Sequence, residues 1–212
     1  MAEGVPNARG VRRRAEIVAA ARGMFSEVGY GGATMAAIAT RAGVTHAGLL
    51  YHFETKQAVL EAVLDDERGR SSTLLGLDEH RATDEQGRDD HLVRLRALVA
   101  RNLAEPEWTR LFSLLLGESV AVDHPVRGRM AERYDGLSRG LAAALGDLAE
   151  PGARPGDAEL EGLARLLLAV MDGLQYQQLT GSGVDVEGAF ALMTELVRTR
   201  LTTPGDGGVP TF

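Results

Sequence analysis

The sequence predicts an all-α protein of about nine helices. Three observations support this. Apolar residues recur at three- and four-residue intervals along most of the chain, no stretch alternates β-branched with polar residues, and glycine, proline or charge clusters punctuate the periodic runs. The expected organisation is a flexible basic arm over 1–11, a three-helix unit over 12–56, a larger helical body over 57–202 and a disordered tail over 203–212.

Ile17, Val18, Ala21, Met24, Phe25 and Val28 make the buried face of a first helix, which Gly29 ends. Ahead of it lie Arg9 and the run Arg12-Arg13-Arg14, on an arm that Pro6, Asn7 and Gly10 keep from being helical throughout. Thr34 marks the start of a second helix, because its hydroxyl can accept from the free N–H groups of a first turn. Met35, Ile38, Ala39 and Ala42 then form one apolar stripe, Gly43 supplies the positive φ of a helix stop, and Val44 plugs the gap to the next helix. Thr45 caps a third helix whose Leu49 and Phe53 face inward. Thr45, His46, Ala47, Gly48 and Tyr51 are left on its outer surface, and the small side chains at 47 and 48 let its backbone approach a groove wall. A helix, a glycine-centred turn and a short exposed helix have the shape of a DNA reader, although a helical hairpin inside a core shows the same pattern.

The stretch Thr34-Met35-Ala36-Ala37-Ile38-Ala39, then Ala42-Gly43-Val44-Thr45, Leu49 to Phe53 and Thr55-Lys56, closely resembles the DNA-binding domain of the TetR family of bacterial repressors. The resemblance covers residues 12–64 and has two departures: Leu50 replaces the family's usual tyrosine, and His52 stands at its second aromatic position. It implies that Thr45, His46, Ala47 and Gly48 face bases, that Thr34, Tyr51, Lys56 and Arg12, Arg13 and Arg14 hold the phosphate backbone, and that His52, standing where an aromatic normally clamps a phosphate, is a further DNA-binding position.

Charge follows the same division. Residues 1–60 carry a balance of +3 and the remainder −10, so an overall −7 conceals a basic end able to dock on DNA. Lys56, the only lysine, falls at the start of the fourth expected helix, where it and free N–H groups could face a phosphate.

The fourth helix continues through Val59, Leu60, Val63 and Leu64, and the charged segment 78–90 is a loop or frayed end. Further helices are expected over 91–104, from Pro106, from Pro125, over 157–180 and over 185–202, with a break at 150–157. The last two carry apolar residues on more than one face. Leu160, Leu163, Leu167, Met171 and Leu174 are flanked by Leu166 and Val170, and Phe190, Met193 and Val197 adjoin Leu192, Leu196 and Leu201. Such helices need a second partner, and the resemblance implies a four-helix interface between two chains. It also implies an inducer pocket, for which Trp108, Phe112, Leu116, Met130, Tyr134, Met171, Gln175 and Tyr176 are the candidate lining residues.

The chain of 212 residues has no cysteine, which excludes thiol sensing and disulfides, and it contains neither a transmembrane-length apolar run nor a recognisable leader. No catalytic or metal-binding motif appears. The sequence therefore points to a cytoplasmic homodimeric repressor of a palindromic double-stranded DNA operator, released by a small apolar or aromatic effector, with no cofactor, metal or membrane partner. Control by a protein partner without a pocket, and a helical enzyme, are the alternatives.

Overall fold

The structure, a computed structural model, describes residues 8–75, 91–150 and 152–203. Residues 1–7 of the arm, the charged segment 78–90 and the tail from 204 onward lie outside them. The described chain runs through α1 (Ala8–Gly32), α2 (Met35–Arg41), α3 (His46–His52), α4 (Lys56–Leu75), α5 (His91–Ala104), α6 (Pro106–Ser119), α7 (Arg127–Leu148), α8 (Asp157–Leu179) and α9 (Val186–Thr202), with no strand among the described residues. The protein is all-α, with a helix-turn-helix at its N-terminal end.

Two compact units result. The first contains the residues up to Arg70 together with Pro106–Arg127, and the second contains Ser71–Glu105 with the chain from Gly128 onward. This differs from a linear division at residue 56, because α6 packs against α1 rather than among the helices of the body. Its inward face explains why: Trp108, Leu111 and Leu115 are buried, and Arg22 of α1 lies 3.6 Å from Glu107. A periodic stripe says that a helix must be covered, but not by which neighbour.

In the first unit Ile17, Ala21, Phe25, Ile38, Leu49 and Val59 are fully buried. One expectation for α1 fails, since Val28 is 49% exposed; the helix begins at Ala8, so residues 8–11 of the expected arm are helical and continuous with Arg12, Arg13 and Arg14. Gly10 is tolerated inside a helix that the following residues extend, and Arg12 and Arg13 reach Glu16 one turn on, at 3.8 and 2.8 Å.

The second unit is built around one apolar cluster. Leu92, Leu95 and Val99 of α5, Leu141 and Leu145 of α7, Leu160, Leu167 and Met171 of α8, and Phe190 and Val197 of α9 meet in it. Tyr134, Leu137, Leu163 and Leu174 pack against its margin. Asp185 caps α9 by accepting from Gly188 N at 2.9 Å, and Arg200 of α9 pairs with Glu159 of α8 at 2.6 Å. Leu166 on α8, and Leu192 and Leu196 one turn apart on α9, remain 53%, 64% and 60% exposed.

Candidate nucleic-acid interface

Thr34 caps α2 by accepting from Ala37 N at 3.2 Å, and Thr45 caps α3 by accepting from Gly48 N at 3.0 Å. Between them Gly43 adopts φ 64°, Gly43 N donates to Thr40 O at 3.1 Å and Val44 N donates to Ala39 O at 3.0 Å. This pair of bonds is a Schellman stop, which satisfies the last carbonyls of α2 while reversing the chain. Val44 is half-buried against it.

The stop fixes which face of α3 is presented. Leu49 and Phe53 are buried, whereas Thr45, His46, Ala47 and Tyr51 are exposed and Gly48 is half-exposed. Tyr51 is 87% exposed and meets the half-buried ring of His52 edge-on, with centroids 5.2 Å apart. The surface therefore offers one imidazole and one phenol beside a helix backbone with little side chain over it. Leu50 is 39% exposed, next to Tyr51.

The basic residues divide into those spent on the fold and those facing outward. Arg41 forms a two-pronged pair with Glu27 of α1, both contacts 2.8 Å, and this bond holds the Glu27 carboxyl below its ordinary value. Arg14 lies over the Phe53 ring, 4.7 Å from its centroid. Arg12 remains 75% exposed and Arg13 is 41% exposed. The lysine has a role that sequence spacing did not reveal. Lys56 Nζ donates to Tyr30 O at 2.7 Å and to Ala33 O at 2.8 Å, and stands over the Tyr30 ring at 4.3 Å. Two of its three N–H bonds thus bind carbonyls after the α1 kink, which makes it a clamp on the reader.

A carboxylate completes that clamp. At Gly29 the helix breaks with φ 70° and ψ 179°, freeing the amides of Tyr30 and Gly31, which donate to Glu118 of α6 at 3.0 and 3.1 Å. His124 Nε2 lies 3.9 Å from Glu118, and its ring meets Tyr30 edge-on at 5.6 Å. A Cβ on Gly29 would stand 2.6 Å from the Glu118 carboxylate, so this position needs glycine for both its backbone angle and its clearance. The available signal was that Glu118 extends the inward stripe Trp108, Leu111, Leu115 by three residues.

The candidate pocket residues fall in both units. Trp108, Phe112 and Leu116 lie on α6 of the first unit, and the Trp108 and Phe112 rings are 6.3 Å apart. Met130, Tyr134, Met171, Gln175 and Tyr176 belong to the second. Met130, Met171 and Gln175 are buried there, and Tyr134 OH donates to Asp172 at 2.5 Å. Tyr176 is 58% exposed and lies on the outer side of α8, not facing the core. Among the described residues no three potential ligands cluster to hold a metal ion, and no helix is long and apolar enough to cross a membrane.

Comparison with known proteins agrees with this geometry over most of the chain. Residues 17–63 match the model for bacterial regulatory proteins of the tetR family, and residues 92–202 match the BetI-type transcriptional repressor C-terminal model. The HTH-type transcriptional regulator TtgR of Pseudomonas putida is 28% identical over 167 residues, covering 76% of this chain and 77% of its own. The repressor AcnR of Corynebacterium efficiens is 23% identical over 194 residues, covering 92% and 95%. Among solved structures, a transcriptional regulator from Saccharomonospora viridis in complex with choline superposes with TM-score 0.67 at 24% identity, covering 88% of this chain and 96% of that one. With the reader matched at one end and the repressor body at the other, the chain belongs to the tetR family of bacterial transcriptional regulators.

Proposed function

We propose that the protein is a repressor that binds a palindromic operator as a homodimer and is released when a small molecule occupies the second unit. The exposed face of α3 carries this reading. Thr45, His46, Ala47 and Gly48 are presented by a capped helix whose opposite side, Leu49 and Phe53, is locked in the core. His46 and Gly48 would approach base edges, Tyr51, Arg12 and Arg13 would hold phosphates, and the half-buried His52 would support the Tyr51 ring. Lys56 keeps one N–H for a phosphate, but its main role is to hold the α1–α2 connection against α4.

Dimerisation is supported by the exposed leucines. Leu166, Leu192 and Leu196 lie on the last two helices of a well-packed unit, and a second copy would cover them. Two-fold symmetry would then place two α3 helices on half-sites about one DNA turn apart. An effector that prefers a state with another spacing would lower operator affinity by the ratio of its affinities for the two states. The choline complex of the structural relative, and the polar groups inside the second unit, support a small-molecule effector.

A mobility-shift titration with the DNA upstream of the protein's own gene tests the reading. A shift that survives excess random DNA, and requires two half-sites, is expected. Identical retention of random and upstream DNA would oppose it.

A further inference from the structure

The outward face of α3 carries few of the groups with which proteins grip base edges. At about 3.6 residues per turn, His46, Leu50, Ala47 and Tyr51 follow one another around that side of the helix, opposite the buried Leu49 and Phe53. All four are exposed, Leu50 by 39% and Tyr51 by 87%, so a leucine and an alanine occupy the middle of the face. The helix contains no arginine, lysine, asparagine, glutamine, aspartate or glutamate. It therefore cannot make the paired hydrogen bonds by which side chains recognise guanine and adenine, nor accept from the amino group of cytosine through a carboxylate. Thr45 Oγ1 already accepts from Gly48 N at 3.0 Å as the helix cap. That leaves the imidazole of His46 at one edge of the face and Tyr51, its ring against His52, at the other.

Between those edges the chemistry is apolar. Base pairs present one apolar group in the major groove, the C5 methyl of thymine. Contact between it and the exposed Leu50 and Ala47 removes apolar surface from water on both partners. Gly48 keeps the neighbouring backbone bare, and a Cβ there would stand 3.1 Å from Thr45 Oγ1, against the cap that starts the helix. With no long side chain in the middle of the face, the helix can come within van der Waals reach of the methyls.

We propose that Leu50 and Ala47 are specificity-determining residues that read thymine through its C5 methyl, so that the half-sites are recognised chiefly by where their thymines stand. This rests on the operator-binding reading above and names the chemistry by which α3 discriminates. Burying one methyl is worth about fourfold in affinity, and one methyl in each of two half-sites about 15-fold. Uracil pairs as thymine does and lacks only that methyl. DNA with uracil in place of thymine thus keeps its hydrogen-bonding edges and phosphates and loses this contact.

The test uses the full chain and the DNA upstream of its own gene, amplified with either dTTP or dUTP, beside a scrambled duplex made both ways. Mobility-shift titrations at fixed salt give the ratio of thymine-DNA to uracil-DNA affinity. For the wild type that ratio is expected to be about 15-fold or more on upstream DNA and close to one on scrambled DNA. Leu50→Ala and Ala47→Gly should each weaken binding to thymine DNA more than to uracil DNA and so lower the ratio. The ratio is taken within one preparation, so an unfolded fraction cancels, and the wild-type comparison needs no variant at all. A wild-type ratio close to one with the upstream shift intact overturns the methyl reading and leaves the operator reading standing. A high ratio that the two variants leave unchanged, or one equally high on scrambled DNA, also overturns it, because thymine then acts through duplex shape. If neither form of the upstream DNA is held more tightly than scrambled DNA, the operator reading and this one fall together.

Discussion

Replacing Lys56 by methionine keeps an unbranched side chain, one atom shorter, and removes the charge together with its three N–H donors. In the structure that charge makes hydrogen bonds of 2.7 and 2.8 Å to Tyr30 O and Ala33 O and lies 4.3 Å from the Tyr30 ring centroid. A hydrogen bond with one charged partner contributes about 1.5 kcal/mol at a partly exposed site, and the ring contact about 0.5 kcal/mol. The sum, about 3.5 kcal/mol, is a large share of the ~5–15 kcal/mol typical of a folded protein, and corresponds to a melting-temperature loss of roughly 7–14 °C. Urea unfolding followed by circular dichroism measures it. A phosphate contact makes a different prediction: stability changes little, and the slope of log affinity against log salt falls by about 0.9. Unfolding curves that superimpose on the wild type, together with that loss of slope, would refute the clamp and restore Lys56 to the DNA surface.

Other substitutions probe the rest of the account. Gly29→Ala should cost about 3–4 kcal/mol, from a φ/ψ combination almost confined to glycine and from the methyl pushing Glu118 off the Tyr30 and Gly31 amides. In a Glu118→Ala background the same change should cost only about 2 kcal/mol, the strain alone; strict additivity in urea unfolding would contradict the latch. Charging the exposed stripe with Leu192→Glu and Leu196→Glu should leave the fold intact but halve the mass seen by sedimentation, and an unchanged mass would remove that stripe from the interface. Asp172 has a folded pKa raised above its ordinary 3.8, so the folded state holds its proton longer than the unfolded state does. Its contribution therefore favours the fold at low pH and is lost as pH rises through the raised folded pKa. Asp172→Asn should remove that decline relative to wild type across mildly acidic pH, and parallel stability-versus-pH curves would argue against a carboxylate whose burial outweighs the Tyr134 hydrogen bond and the Arg133 charge.

The helices themselves were legible because their boundaries are local chemistry. Thr34, Gly43 and Thr45 announce caps and stops through their own side chains or backbone freedom, and α5 runs from His91 to Ala104 as its periodicity indicates. The inward role of Leu49 and Phe53, and hence the outward face of α3, follows from four-residue spacing. Long-range partnerships were not legible. Nothing near Lys56 in sequence says that its ammonium binds carbonyls 26 and 23 residues earlier, or that Glu118 receives amides 87 and 88 residues away. The same applies to Val28, an apolar residue that the stripe alone assigned to the interior but that is 49% exposed.

Whether α3 reads bases is decided by comparing His46→Ala with wild type in competition anisotropy, using the upstream operator and a scrambled duplex of equal length at fixed salt. A base-reading side chain contributes about 1–3 kcal/mol of discrimination, so the variant should lose roughly five- to 150-fold in operator affinity while its affinity for scrambled DNA stays the same. Equal losses on both duplexes, or none on either, would contradict the assignment of this face to sequence recognition.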